Sequence, residues 1–556
     1  MKTQLTQIPD VHYKAPKLSS NGSAHTQPTA EDDEEDAEAG PSRPPDDEDY
    51  VPDIPDDEDG RFFGGGITRN ESEILDYMGQ VDDDGSAAPE KIDSAWVRKL
   101  ALNFEKKISK NAELRAKFDG KPERFMESEA DLDADVKALS ILSEHPELYS
   151  EFAKLGCVNS LVSLLAHENT DIAIDAIEII GELIDEDVEA DPAHWNAIVE
   201  AMLEADLLDL ITSNFTRLDE SQDADRAGVY HALSVLENLS SQPSIAEKIG
   251  KSETVFKYLL ERIQKKEKEV TQNKQYAAEI LAILLQASPA NRPILAEKNA
   301  VDILLQLLAP YRKRDPPHGT EEEEFVENIF DALMCLVDSA LGKTKFVEAE
   351  GVELALIMIK EGKMSRPRAL RLLDHACSGL GGAGVCVQVV EAAGLKVIFS
   401  MFMKKQDSET TEHLLGTFAS LLMWLPANEA PRIRTLAKFV EKEYEKITKL
   451  VQLRRDYAAR VEFVDAQIRE EQKASSPEER EERADEWLSR RLDAGLFCLQ
   501  TIDVILAWLV AEDAGAEKKV KESLAERDES LALLKGTIQG KLARSFSSGD
   551  VVISRS

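Results

Sequence analysis

The chain has 556 residues, 42% of them hydrophobic, which is enough apolar material for one long solenoid or several ordinary domains. Its formal net charge of −40 argues against a protein that binds DNA or RNA by neutralising phosphates, and favours basic partners instead. There is no run of about eighteen apolar residues to span a membrane and no apolar signal-peptide core. The five cysteines (Cys157, Cys335, Cys377, Cys386 and Cys498) form no C-x-x-C pair and read as buried thiols of a reducing compartment, so a soluble intracellular protein is expected.

Residues 1–90 carry 24 Asp and Glu against 6 Lys and Arg, with too little apolar surface to repay chain entropy, which predicts a disordered acidic tail. The like-charge blocks Glu31–Glu38, Asp46–Asp49 and Asp56–Asp59 suit either an interaction tail or a solvating one. Within the tail, Phe62-Phe63-Gly64-Gly65-Gly66-Ile67 fits a short docking motif or a hinge before a short helix at Glu73–Met78. Residues 91–150 read as an N-terminal helical cap, opened by Ser94 as N-cap and continued by Val97, Leu100, Phe104 and Ile108.

From residue 151 to 426 one pattern recurs, apolar–x–x–apolar–apolar–x–x–apolar. Its copies begin at Val158, Leu207, Val255, Val301, Val352 and Leu395, with Asn214 and Arg262 standing in the last apolar place of the second and third. Each copy is followed by a second apolar helix, such as Ala176–Leu183, Ala232–Leu239 or Ala278–Leu285. Helical pairs at a period slightly above forty residues mark an all-α armadillo/HEAT-like right-handed solenoid, in which stacked units share one continuous core. The linkers hold breakers such as Asp191-Pro192, Gln242-Pro243 and Ser288-Pro289. The basic knot Tyr311-Arg-Lys-Arg314, followed by Glu321–Glu324, reads as an import signal or as a loop whose opposite charges pair.

Residues 427–542 form a C-terminal region of long helices, with 543–556 a loose tail. Ile433, Val440, Ile447, Val461 and Ile468 fall every seven residues, broken only by Arg454, and Leu436, Leu450, Tyr457 and Val464 fill a second seam broken by Glu443. A single helix over 432–472, about 60 Å long at about 1.5 Å per residue, is predicted. It would pack on the solenoid end, fold back on a later helix over Trp487–Val510, or pair with another copy as a homodimer.

Catalytic and cofactor motifs find little support. Gly379-Leu-Gly-Gly-Ala-Gly384 has G-x-G-x-x-G spacing but follows a helical pattern instead of a strand, so it reads as an interhelical loop. His375, Cys377 and Cys386 lack a fourth zinc ligand nearby. No G-x-S-x-G elbow or H-E-x-x-H occurs, and no enzyme, metal or cofactor is expected. Peptide binding has better material. The last helix of an armadillo unit lines the concave face, and the corresponding segments carry Asp175, Glu178, Glu182, Glu237, Asn238, Glu279, Glu327, Asn328, Asp331 and Asp374. Such carboxylates attract Lys and Arg, and asparagine amides can hold a peptide backbone; equally, these are the solvated faces of acidic helices.

Several collinear blocks resemble the beta-catenin-like protein 1 family. They are Leu114-Arg-Ala-Lys-Phe118, Phe125-Met-Glu-Ser-Glu-Ala-Asp-Leu132, Arg217-Leu-Asp-Glu-Ser221, Leu373-Asp-His-Ala376 and Arg490-Arg-Leu-Asp-Ala-Gly-Leu-Phe497. The resemblance implies an armadillo-type nuclear protein of the pre-mRNA splicing machinery, associated with the Nineteen complex. It also implies recognition of basic, nuclear-localisation-like segments, notably on the cell division cycle 5-like splicing factor. The alternatives are a nuclear transport adaptor for basic cargo and a regulatory subunit of a ubiquitin ligase.

Overall fold

The computed structural model describes residues 91–537 and residue 539, all in helices, turns and loops, with no strand among the described residues. The tail, including Phe62–Ile67 and the helix expected at Glu73–Met78, lies outside them. The first helix, α1 (Ser94–Lys117), is capped one residue earlier than expected: Asp93 Oδ1 accepts from the amides of Ala95 (2.9 Å) and Trp96 (3.2 Å). Val97, Ala101 and Phe104 recur at helical spacing and are buried against Leu132 and Val136 of α2 (Met126–Ala138).

Six units follow, each of three helices where the sequence pattern showed two. They are α3 (Tyr149–Lys154), α4 (Cys157–Ser163) and α5 (Thr170–Leu183); α6 (Pro192–Glu204), α7 (Leu207–Arg217) and α8 (Asp223–Ser240); and α9 (Pro243–Lys251), α10 (Glu253–Gln264) and α11 (Gln272–Ala287). Next come α12 (Asn291–Glu297), α13 (Ala300–Leu308) and α14 (Glu321–Val337); α15 (Ala340–Glu348), α16 (Gly351–Glu361) and α17 (Ser365–Cys377); and α18 (Gly382–Glu391), α19 (Gly394–Phe402) and α20 (Ser408–Trp424). The recurrent apolar pattern sits on the second helix of each unit, where Val158, Leu161, Val162 and Leu165 are buried, as are Val301, Leu304, Leu305 and Leu308. Third helices stack in succession, α2 on α5, then α8, α11, α14, α17 and α20, and form the main ladder of the core.

The turn into the second helix repeats a left-handed residue: Gly156, Asp206, Asn299, Glu350 and Ala393, with φ of 57–81°. At Glu350 and Ala393 the next residue is the glycine, because close packing claims it. A Cβ on Gly351 would lie 2.4 Å from the Phe346 ring, and one on Gly394 would lie 2.7 Å from the Val389 carbonyl oxygen.

The two polar intruders in the apolar pattern are buried, Asn214 at 1% and Arg262 at 4% exposure, and both tie neighbouring units together. Asn214 Nδ2 donates to the carbonyls of Leu165 and Leu210, each at 2.9 Å, and Arg217 donates to those of Leu165 (2.9 Å) and His167 (2.5 Å). Arg262 pairs with Glu220 (2.8 Å) and Glu267 (2.9 Å), while Asn273 Nδ2 reaches Glu220 and the Arg226 carbonyl. Each satisfies a carbonyl or carboxylate of the preceding unit that burial would otherwise leave costly.

Beyond the units, α21 (Ala430–Ala474) is not the single rod expected. Helical dihedrals fail at Glu441–Tyr444, and Lys442, Glu443 and Tyr444 take left-handed values. The break falls where Glu443 interrupts the second seam, and Lys446, buried beside it, pairs with Glu441 (2.8 Å) and Glu445 (3.2 Å). The expected helix over Trp487–Val510 is also two: α23 (Ala484–Asp493) and α24 (Leu496–Glu512), bent by 64° after the short α22 (Pro477–Glu482). Gly495 makes the bend with φ of 95°, and a Cβ there would lie 2.3 Å from the Tyr457 ring. The heptad face of α21 is covered from within the chain by α24 and α25 (Ala514–Ala525), which bury Ile447, Leu450, Val451, Tyr457 and Val461, whereas Ile433 stays 57% exposed. The break at Arg454 is a buried ion pair: Nε to Asp503 Oδ1 is 2.6 Å and Nη2 to Oδ2 is 3.4 Å.

No single helix among the described residues is long and apolar enough to cross a membrane. All five cysteines are buried free thiols.

Candidate peptide-binding surface

The ten candidate residues all lie on third helices, because the apolar positions of those helices face the ladder and leave the intervening polar positions on one outer edge. The structure divides them. On α5, Asp175 is held inward by Lys137 at 3.2 Å, with the Asp133 carboxyl beside it. Burial, then the Asp133 carboxyl, pushes Asp175 up to about 7. Glu178 lies 3.9 Å from His231, and desolvation followed by Glu178 and Asp185 raises the exposed Glu182.

On α8 and α11 the carboxylates gather. Glu237 accepts the Tyr276 hydroxyl, and its carboxyl is raised by burial and further by Glu186 and Asp185. Glu279 accepts from Gln275 at 2.9 Å and is raised by burial, then by Glu237, Glu324 and Glu321. Glu321 is raised by desolvation and by Glu324. Tyr230, 36% exposed, lies with its ring 5.0 Å from that of Tyr276. This surface, spanning three consecutive units, combines mutually repelling carboxylates with an aromatic face, a setting in which an ammonium or guanidinium is attracted by both. Asn238 donates to the Gly181 carbonyl at 3.3 Å, which ties its amide to the neighbouring third helix.

Farther along, the acidic charge is answered internally. Glu327 pairs with Arg368, Asp331 is raised by burial with Arg371 opposing, and Asp374 pairs with His413 at 3.0 Å in a site buried enough to raise its carboxyl. Asn328 is half-buried beside them. Sequence reasoning missed Tyr230, Tyr276, Glu321 and Glu324. Their signal was present: positions 230, 276 and 321 repeat at 46 and 45 residues, the period of the units themselves.

The other candidates resolve as local structure. In the basic knot, Arg314 pairs with Glu322, Lys313 with Glu361 (3.3 Å), and the Tyr311 hydroxyl donates to Glu322 (2.7 Å). The glycine-rich run turns α17 into α18, with Gly379 and Gly381 left-handed and a helix on either side. His375 turns to Asp338 (3.1 Å), away from a common centre with Cys377 and Cys386, and no group of three or more His, Cys, Asp or Glu is placed for a metal among the described residues.

Stacked three-helix units define an armadillo-repeat protein. Comparison with known proteins narrows the class. Residues 72–539 match the family described as "Catenin-beta-like, Arm-motif containing nuclear", and the chain belongs to that family. It is 38% identical over 472 residues to the beta-catenin-like protein 1 homolog of Schizosaccharomyces pombe, covering 85% of this chain and 82% of that one. It is 34% identical over 464 residues to human beta-catenin-like protein 1, covering 81% of each. Among solved structures, a designed armadillo repeat protein in complex with the peptide (KR)4 superposes with a TM-score of 0.36 at 14% identity, covering 48% of this chain and 99% of that one.

Proposed function

We propose that this protein is a non-enzymatic nuclear scaffold of the pre-mRNA splicing machinery, which holds basic, nuclear-localisation-like segments of splicing factors on its third-helix ladder. The partners implied are the cell division cycle 5-like protein and the Nineteen complex. The observation that carries the reading is the surface of Glu237, Glu279 and Glu321 with Tyr230, where burial raises all three carboxyls and neighbouring carboxylates raise them further. Carboxylates held in mutual repulsion gain when a cation arrives, and a preordered solenoid leaves only the peptide to lose conformational freedom. The nuclear setting is that of the family.

The test is titration of a Lys/Arg-rich peptide against the full chain at low and high salt, with the Glu237→Gln/Glu279→Gln double variant alongside. Each lost charge-assisted hydrogen bond is worth about 1.5–3 kcal/mol, so the variant should bind at least about tenfold more weakly. Unchanged affinity in the variant, or affinity indifferent to salt, would refute the reading.

A further inference from the structure

A cavity lies away from the ladder edge, where the second half of α1 meets the end of α4 and the turn after it. It measures about 690 Å³, within the range of roughly 300–1,000 Å³ that holds a small ligand or a few peptide residues. The sequence opens it with small side chains, Ala112, Ala116 and Ala166, over a floor of Ile108, Phe125 and Leu164. One wall is a fixed polar chain. Uncharged His167, its pKa lowered by burial, donates from Nε2 to Asn111 Oδ1 (3.1 Å), Asn111 donates to Ser128 (3.0 Å), and Ser128 donates to the Phe125 carbonyl (2.7 Å). Because these groups satisfy one another, the wall stands without an occupant. Of the lining carboxylates, Glu168 pairs with Arg115 and the buried Glu105 accepts from Ser160, while Asp119 stands exposed at the mouth.

Such a site fits an aromatic side chain next to a cation. We propose that its occupant is the chain's own segment Arg61-Phe62-Phe63, which lies outside the described residues. Phe62 and Phe63 are the two phenylalanines of residues 1–90, and Arg61 beside them is one of only six basic residues there. The 28 residues from Ile67 to Ser94 reach up to about 90 Å when extended, at about 3.3 Å each. The 24-residue α1 that carries one side of the cavity is only about 36 Å long at about 1.5 Å per residue. Phe62 or Phe63 enters over Ala112 and Ala116, and Arg61 meets Asp119 at the mouth. The segment is thereby anchored on the cap by its aromatic residues, in a tail whose charge would otherwise repel it from an acidic protein.

The experiment places the photoreactive p-benzoylphenylalanine at Phe63 in the full chain, irradiates it, and maps the crosslinks by mass spectrometry. Crosslinks within the same molecule to residues 105–119 or 160–168 are expected. Crosslinks elsewhere, only between copies, or none would overturn the proposal. Filling the cavity with Ala112→Phe should cut the yield at those residues by about tenfold. Should that variant fail to fold by circular dichroism, Arg61→Glu carries the test, since it alters nothing in the folded helices. It should lower the yield severalfold at low salt, and an unchanged yield would overturn the role given to Arg61.

Discussion

Replacing Arg454 by Met leaves the Asp503 carboxylate, fully buried in α24, without its partner. A buried charge stripped of its counter-ion typically costs about 3–5 kcal/mol. The group has an escape, which is to fold protonated. Neutralising an aspartic acid of ordinary pKa about 3.9 costs about 4 kcal/mol at pH 7 and about 1.5 kcal/mol at pH 5. Burial already holds Asp503 above the ordinary aspartate value with Arg454 in place, so desolvation outweighs pairing, and ionised Asp503 opposes folding as pH rises above the unfolded value. The Arg454→Met defect should therefore be near 4 kcal/mol at pH 7 and shrink by more than half at pH 5. Hydrogen exchange of the α24 amides, residues 496–512, reads the local opening free energy directly. The double variant Arg454→Met/Asp503→Leu should recover to within about 1 kcal/mol of the parent or exceed it, as apolar replacements of buried pairs do. A defect in Arg454→Met that does not change with pH would show that lost packing is responsible, and would refute the electrostatic account.

Three further outcomes are expected. Ala393→Gly should raise stability by up to about 1 kcal/mol in thermal unfolding, because the left-handed backbone at φ 58° costs an L-residue about 1–2 kcal/mol and glycine returns part of that as entropy. Asn214→Leu, the substitution the apolar pattern would favour, should instead destabilise by about 0.5–1.5 kcal/mol, since a hydrogen bond to the Leu165 carbonyl is lost while Arg217 keeps that carbonyl satisfied; a stability gain would contradict the tying role. Because Glu237, Glu279 and Glu321 have raised pKa values, they take up protons earlier than ordinary glutamates as pH falls. Basic-peptide affinity measured at constant ionic strength should weaken between pH 7.5 and 5.5, and a flat profile would count against that surface.

What could be read from residues alone follows from how locally each feature is encoded. The second helices announced themselves because Val301, Leu304, Leu305 and Leu308 fall on one helical face within eight residues. The first helices did not: α12 has seven residues and buries only Asn291, Leu295 and Ala296, too few for a periodic signal. The break in α21 was invisible to the heptad count, since apolar positions keep their spacing through residues 442–444 whatever the backbone does; Glu443 was its one trace. Arg454 and Asp503 are 49 residues apart, and Arg454 looked like an isolated flaw in an apolar seam until the fold joined the two. For the ladder edge, sequence reasoning chose acidic residues by helix. It had no means of knowing that Glu327 and Asp374 are already partnered by Arg368 and His413 while Glu237 and Glu279 face other carboxylates.

The polar ties between units, Asn214 and Arg217 to the Leu165 and His167 carbonyls and Asn273 to the Arg226 carbonyl, are directional where apolar contacts are not. They forbid one unit from sliding along the next, so the acidic rungs keep a constant pitch. Helices pack about 8–10 Å apart and an extended chain advances about 3.3–3.6 Å per residue, so a strand laid along the row passes one rung every two to three residues. A cationic peptide held as proposed would be read by the interval between its cations as well as by their number.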